Sequence, residues 1–314
     1  MRLVHKARLA AAAAVLLALS ATHARADGTV RVGYQKYGTL ILLKEKAWLE
    51  PALAKLGWTV KWSEFTSGPQ LMEAFNAGAL DFATTGETPP IFAEAAGTPL
   101  LYVGTEPPAP KGEAIVVPPG STITSVAELR GKRVALNKGS NVHALLVRAL
   151  EAAGLHWSDI TPVYLSPPDA RSAFTSGRLD AWAIWDPYLA SAQADAGARV
   201  IADATGLVPN HQFYLASRPF TTAQPAIVQA ILAEIGTLDR WAAATPAEVA
   251  PLLAHGVGLP LASVEIALAR LSYGVVPITP DIVAQQQAIA DEFHALHLIP
   301  TKVDVAKDVW QPPS

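Results

Sequence analysis

The sequence predicts an α/β protein built from two similar lobes, each a mostly parallel sheet flanked by helices. Short apolar strands alternate with amphipathic helices through about residue 217, a pattern typical of strands joined by helical crossovers. Two short motifs recur in the same order at nearly the same separation. Beyond Arg218-Pro219 the apolar spacing is helical only, and neither motif returns.

The two repeated motifs indicate that a lobe has been duplicated. The first reads Arg-Val-x-x-amide-Lys and begins at Arg31 and again at Arg133, 102 residues later. The second reads Ala-Phe-x-x-Gly-x-Leu-Asp and begins at Ala74 and again at Ala173, 99 residues later. Because this period is too long for a solenoid repeat, we interpret it as domain duplication.

The first lobe is expected to open the mature chain. A strand over Thr29–Tyr34 precedes a mainly apolar helix, Leu40–Leu56, which Pro51 is expected to kink. The glycine and the Leu-Asp of the second motif end the next helix and lead into a strand, Phe82–Thr85. Pro89 follows that strand and favours the first turn of another helix.

The clearest strand–helix pair lies in the second lobe, beyond a proline-rich linker at Glu106–Gly112. A strand over Arg133–Leu136 leads through a turn into apolar residues at helical spacing. Ser140 occupies the expected N-cap, and Gly154 the position just beyond the helix. The apolar positions of this helix are Val142, Leu145, Leu146, Ala149, Leu150 and Ala153.

Residues 27–111 and 218–314 are predicted to form the first lobe, and residues 112–217 the second. The chain then crosses between the lobes twice, and we expect the two crossings to act as a hinge. The strand Phe213–Ser217 would end the second lobe. The predicted C-terminal helices are Pro225–Ala244, Pro246–His255, Leu261–Arg270 and Pro280–Leu296.

Residues 1–26 are predicted to be a cleavable signal peptide. Basic residues precede an apolar run, Leu9–Leu19, that is too short to span a membrane. Ala24-Arg25-Ala26 fits the small-x-small cleavage pattern, so cleavage is expected before Asp27. A signal peptide predicts an exported protein, most simply a periplasmic one.

Charge and cysteine content exclude several classes of function. The first 26 residues hold four of the 24 basic residues and no acid, so the mature chain carries a net charge of −7. Such a chain is a poor partner for nucleic acid or an anionic membrane. The absence of cysteine excludes disulfides, Cys-ligated metals, a Cys nucleophile and a lipid-modified N-terminal Cys.

Turns between strands and helices are the candidate binding positions. A helix start presents unpaired N–H groups and a partial positive charge, and it can therefore hold an anion. In an open parallel sheet these turns lie together at the carboxyl ends of the strands. Ser140 and His143 would donate to an anion held at the turn that contains Gly139. Glu87 aligns with Asp186 at the repeat separation of 99 residues.

Five segments of the chain resemble the aliphatic sulfonate-binding proteins of ABC importers, part of a group that binds taurine, nitrate and thiamine-precursor pyrimidines. The segments are Gly33-Tyr34-Gln35-Lys36, Ser67-Gly68-Pro69-Gln70, Thr85-Gly86-x-x-Pro89-Pro90-Ile91-Phe92, Lys138-Gly139-Ser140-x-x-His143 and Asp180–Tyr188. The resemblance implies a two-lobed type II periplasmic binding fold in a monomer without a cofactor. It also implies delivery of a sulfonate to a membrane permease with its ATPase subunit. Members often carry Ser or Thr where this chain has Asn141-Val142.

A sulfonate stays ionised and offers three acceptor oxygens, so it needs donors and no acidic neighbour. The loss of a hydroxyl at Asn141-Val142 makes backbone N–H groups more important there. The expected headgroup contacts are Ser140, Asn141, Val142 and His143 of one lobe, opposed by Gln35, Thr85 and Gly86 of the other.

The organic tail of the ligand is expected to meet aromatic side chains. Trp182 and Trp185 are the candidates, although either could serve core packing, because alternate strand residues face opposite sides. We favour Trp185, which is nearer the strand end. Glu87 and Asp186 would accept hydrogen bonds from a tail amine or hydroxyl, or would only cap helices.

Other readings remain open at this level. Taurine, nitrate or a thiamine-precursor pyrimidine is the alternative ligand. His294-x-x-His297 has the spacing of a metal-binding pair, but no acid–His cluster in a strand turn accompanies it, and no metal is expected. An exported enzyme on the same fold is less favoured, because the chain has no cysteine and no Gly-x-Ser-x-Gly motif.

Overall fold

The computed structural model describes residues 28–313, and the predicted signal peptide lies outside them. Two five-stranded sheets organise this part of the chain. The strands of the first sheet, in spatial order, are β2 (Trp58–Phe65), β1 (Gly28–Gln35), β3 (Phe82–Gly86), β10 (Gln212–Ser217) and β4 (Leu100–Thr105). Those of the second are β7 (Thr161–Tyr164), β6 (Arg133–Leu136), β8 (Ala181–Trp185), β5 (Glu113–Val117) and β9 (Arg199–Asp203).

One strand in each sheet runs against the other four, so both sheets are mostly parallel, as predicted. In the first, β1 is parallel to β2 and β3, and β10 is antiparallel to β3 and β4. In the second, β6 is parallel to β7 and β8, and β5 is antiparallel to β8 and β9. The reversed strands β5 and β10 are the two that follow directly from a crossing between the sheets.

The return crossing lies earlier in the chain than the predicted boundary at residue 217. β10 pairs with β3 and β4 through backbone hydrogen bonds, so residues 212–217 belong to the first sheet. The crossing segment therefore precedes Gln212 and contains Asn210, whose φ is 52°. The forward crossing follows β4 and ends at the short 3₁₀ turn Pro110–Gly112.

Helices cover both faces of each sheet. The predicted helix Leu40–Leu56 is two helices, separated at Ala47 with φ 50°, and Pro51 lies in the first turn of the second helix, where proline is tolerated. The helices are α1 (Gly38–Lys46), α2 (Leu49–Ala54), α3 (Gly68–Asn76), α4 (Thr88–Ala95), α5 (Asn141–Ala152), α6 (Pro167–Thr175), α7 (Tyr188–Ala196), α8 (Arg218–Ala223), α9 (Pro225–Ala244), α10 (Pro246–Val257), α11 (Leu261–Leu268) and α12 (Pro280–Ala295).

The C-terminal helices join the two halves of the molecule. α9 and α10 pack on α1 over the first sheet, whereas α11 packs against α7 of the second half. No single helix within residues 28–313 is long and apolar enough to cross a membrane, although α10 and α11, bent by 118°, reach that length and composition together.

The repeated motifs of the sequence contact each other in the same way in both halves. Asp81 ends one motif and accepts from the backbone N of Arg31 at 2.8 Å and from its Nε at 2.9 Å. Asp180 accepts from the backbone N of Arg133 at 2.7 Å and from its Nε at 3.4 Å. Each motif pair thus ties the start of a central strand to the start of its neighbour.

We expect Asp81→Ala to lower the free energy of unfolding by about 2–3 kcal/mol, because it removes charge-assisted bonds at a largely buried carboxylate. The matched substitution Asp180→Ala is expected to cost about 1 kcal/mol, since that pair is more exposed. Urea denaturation followed by circular dichroism measures both. Equal losses at the two positions would contradict this ranking.

Candidate functional site

A narrow cleft lies between the two sheets, at the carboxyl ends of β1, β3 and β8. Six of the predicted site residues line it: Gln35, Thr85, Gly86, Ser140, Asn141 and Trp185. The Gln35 side chain donates from Nε2 to the Thr84 carbonyl at 3.4 Å. The Thr85 hydroxyl is buried and has no hydrogen-bond partner within residues 28–313. An unpaired buried hydroxyl in a cleft wall favours a ligand that accepts a hydrogen bond there.

Four helices begin at this cleft, and none has its first turn capped by its N-cap side chain. They are α1, α3, α4 and α5, whose N-cap residues are Tyr37, Ser67, Glu87 and Ser140. The Ser140 hydroxyl donates instead to the Asn137 carbonyl at 2.7 Å. The Ser140 hydroxyl is thus engaged within its own turn, although Ser140 lines the cleft, and its donation to a ligand stays a prediction. The N–H groups of the first turn of α5 remain the donors at this position.

Asn141 bridges the two halves of the molecule. Its Oδ1 accepts from the Thr88 backbone N at 3.3 Å, and its Nδ2 donates to Asn210 Oδ1 at 2.7 Å. Asn210 Nδ2 in turn donates to the Ala109 carbonyl at 2.9 Å, so both crossings join this network. A Cβ at Gly86 would overlap the amide of Asn141, which makes glycine necessary for this close approach.

His143 packs in the core and does not line the cleft, and its predicted contact with a ligand stays a prediction. Its ring is fully buried, with centroids 6.2 Å from Phe92, 4.9 Å from Trp157 and 5.2 Å from Phe293. Nδ1 accepts from the Gly139 backbone N at 3.3 Å. Burial, with Lys138 nearby, lowers the pKa of His143 to about 4, so the imidazole is neutral near pH 7.

Val142 and Trp182 also direct their side chains away from the cleft. Val142 is fully buried in the core beneath α5, so only its backbone N–H remains available to a ligand. Trp182 packs on the opposite face of β8 from Trp185 and contacts Phe174, with ring centroids 5.7 Å apart. Strand alternation separates the two tryptophans, and Trp185 is the one that reaches the cleft.

Asp186 and Glu87 both bind other parts of the protein, which favours the structural one of the two roles predicted for them. Asp186 accepts from the Ala190 backbone N at 3.0 Å and forms an ion pair with Arg270 at 3.3 Å. Glu87 Oε2 accepts from the His211 backbone N at 3.0 Å. Asp186 therefore ties the second half to the C-terminal segment, and Glu87 ties α4 to the return crossing.

Three buried acids lie near the cleft, and burial raises the pKa of each. Burial raises the pKa of Glu87 to about 7, against the hydrogen bond from His211. Burial, and then the proximity of Glu87, raises the pKa of Glu113 well above its usual range. Burial raises the pKa of Asp186 to about 6, although Arg270 opposes the shift. Near neutral pH the Glu113 carboxyl is therefore protonated and Glu87 is partly so, whereas Asp186 is mostly ionised and its charge is offset by Arg270.

Five lining residues are not among the predicted contacts. They are Tyr37, Gly68, Pro89, Asn210 and Gln212. Gly68 and Pro89 both belong to segments that resemble the sulfonate-binding family, Ser67-Gly68-Pro69-Gln70 and Thr85–Phe92. The sequence therefore contained a signal for these two residues. Asn210 and Gln212 reach the cleft because the return crossing runs along it. No local sequence pattern predicts the path of that crossing.

Comparison with known proteins places this geometry in a family. The model of the NMT1-like family matches residues 28–255. The solved alkanesulfonate-binding protein SsuA of Xanthomonas axonopodis pv. citri, bound to MOPS, is 44% identical, with a TM-score of 0.86 over 90% of this chain and 98% of that one. The periplasmic aliphatic sulphonate binding protein SsuA of Escherichia coli is 43% identical, with a TM-score of 0.83 over 91% of this chain and 92% of that one.

Similarity at this level covers both sheets, both crossings and the helix starts that surround the cleft. The chain has the two-lobed type II periplasmic binding fold, and it belongs to the NMT1-like family and, within it, to the aliphatic sulfonate-binding proteins.

Proposed function

We propose that this protein captures small aliphatic sulfonates in the cleft between its lobes and delivers them to an ABC permease with its ATPase subunit. It acts as a monomeric binding protein of the periplasm, exported by its signal peptide. The observation that carries the proposal is the set of helix starts at α1, α3 and α5, whose N-cap side chains do not cap the first turn, beside the unpaired Thr85 hydroxyl. Bound MOPS in the Xanthomonas relative supports the same ligand class.

The headgroup chemistry fits these donors. Three sulfonate oxygens accept from the N–H groups of Asn141 and Val142 and from the Thr85 hydroxyl, with Gln35 and Tyr37 completing the shell. Hydrogen bonds to an ionised group are roughly twice as strong as neutral ones. The helix starts add favourable charge worth about 0.3–1 kcal/mol each. Trp185 contacts the first atoms of the organic tail.

Calorimetry is expected to show one-to-one binding of methanesulfonate and butanesulfonate. The same panel includes taurine, sulfate, nitrate and a hydroxymethylpyrimidine, because relatives of this group take those ligands. Binding of nitrate or the pyrimidine without binding of any sulfonate would overturn the proposal.

Gly86→Ala is expected to weaken every sulfonate about tenfold or more, the equivalent of 1.4 kcal/mol. The added Cβ overlaps Asn141 and so holds the lobes apart. The second substitution Asn141→Gly removes the overlapping amide and is expected to restore part of the loss. Gly120→Ala, at a site with open space around the glycine, serves as the control. Unchanged affinity in Gly86→Ala would show that the lobes need not approach this closely.

Sulfonate affinity is expected to fall about tenfold as the pH rises from 6 to 9, by electrostatic repulsion of about 1–2 kcal/mol. The sulfonate stays charged throughout, whereas Glu87 loses its proton near its pKa of about 7. Glu87→Gln is expected to flatten this profile. Glu94→Gln removes another acid, whose pKa burial raises to about 8 but which lies in the last turn of α4, whereas Glu87 lies at the helix start beside the cleft, and is expected to leave the profile intact. A flat wild-type profile would contradict the electrostatic account.

A further inference from the structure

The ion pair between Asp186 and Arg270 joins two parts of the chain that are far apart in the sequence. Asp186 is 1% exposed and directly follows Trp185, which lines the cleft. Arg270 lies just beyond the end of α11, and its side chain is 19% exposed. Its Nη1 lies 3.3 Å from both carboxylate oxygens of Asp186, and its Nη2 donates to the side chain of Gln193 on α7. The guanidinium therefore bridges the turn after β8 and the helix that follows this turn.

Three contacts at Asp186 fix the turn that carries Trp185. The Asp186 backbone N donates to the Gly112 carbonyl of the forward crossing at 2.8 Å. The Asp186 carboxylate accepts from the Ala190 backbone N at 3.0 Å and pairs with Arg270. Without Arg270 this buried carboxylate would lose the charge that offsets its own, which is unfavourable and favours movement of the turn toward solvent.

The chain on both sides of Arg270 is anchored. α11 precedes it and packs against α7 of the second half. After it, the Ser272 hydroxyl donates to the Pro108 carbonyl of the forward crossing at 3.2 Å. Val276 and Thr105 then exchange backbone hydrogen bonds of 2.8 and 3.1 Å. Because its own place is fixed by these contacts, Arg270 is able to hold the neighbouring turn in one position.

We propose that Arg270 is a positioning residue of the binding site, which holds Trp185 toward the ligand by fixing the carboxylate of Asp186. The inference rests on the proposed function, because it takes Trp185 to contact the organic group of a sulfonate. Arg270 acts through Asp186 and does not itself contact the ligand. The segment that follows α11 thereby contributes to binding, although other elements line the cleft.

A double-mutant cycle with butanesulfonate, measured by calorimetry, tests this role. Arg270→Gln removes the charge and is expected to weaken binding about fivefold when Trp185 is present. In a Trp185→Ala background the same substitution is expected to change the affinity less than about twofold, because the side chain that it positions is absent. Arg270→Lys keeps the charge but lacks the planar fork that reaches both Asp186 and Gln193, so it is expected to restore part of the affinity.

Arg148→Gln is the matched control. Arg148 also joins the second half to a C-terminal helix, through a bond of 2.9 Å from its Nε to Glu292 of α12, and its side chain is 23% exposed. In the described part of the chain, neither Arg148 nor Glu292 lines the cleft or adjoins a residue that does. Any effect of Arg148→Gln on affinity is therefore expected to be equal with and without Trp185→Ala.

The outcomes separate the two proposals. Failure of the unaltered protein to bind any sulfonate overturns the proposed function. Binding of butanesulfonate that Arg270→Gln weakens by the same factor with and without Trp185→Ala, or does not weaken at all, overturns the positioning role. Thermal unfolding shows whether each variant is folded. If Arg270→Gln is not, Arg270→Lys is taken through the same cycle, with an expected loss of about twofold that disappears in the Trp185→Ala background.

Discussion

The close approach of Asn141 to Gly86 is the contact on which the cleft depends. One amide side chain from the second lobe reaches the backbone of the first, the start of α4 and the return crossing. Asn210 accepts a hydrogen bond from Asn141 and donates one to the Ala109 carbonyl of the forward crossing. The Asn141 and Asn210 side chains therefore connect the two crossing segments. The position of one helix start therefore governs the width of the cleft.

The cleft has to attract an anion although acidic side chains lie near it. A site for a permanent anion lies within a protein whose acids outnumber its basic residues and whose hinge carries Glu87, Glu113 and Asp186. Burial favours the neutral form of Glu113 and, in part, of Glu87, and Arg270 offsets the charge of Asp186, so little uncompensated negative charge lies near the cleft. The attraction is supplied by backbone N–H groups, which carry no counterion and do not titrate.

The fold was predictable because its signals are local. The motifs at Arg31 and Arg133 and at Ala74 and Ala173 mark the same strand and helix boundaries in each lobe, and strand alternation separated Trp185 from Trp182. The surroundings of individual side chains at the helix starts depend instead on residues far away in the chain. His143 packs on Phe293, and Asp186 pairs with Arg270, residues 150 and 84 positions away in the chain. The sequence predicts which residues lie at a helix start. Whether their side chains face the cleft or the core depends on contacts with residues far away in the chain.

The place of β10 in the first sheet has a consequence for how the chain acquires its structure. This strand lies between β3 and β4 but follows them by more than a hundred residues. Until residues 212–217 have been synthesised, β3 and β4 each keep an unpaired edge, the feature of a sheet most prone to wrong association. The first lobe therefore begins to be synthesised first but can complete its sheet only after the second lobe has been made. The strands of the second lobe are contiguous in the chain, so that lobe can fold earlier.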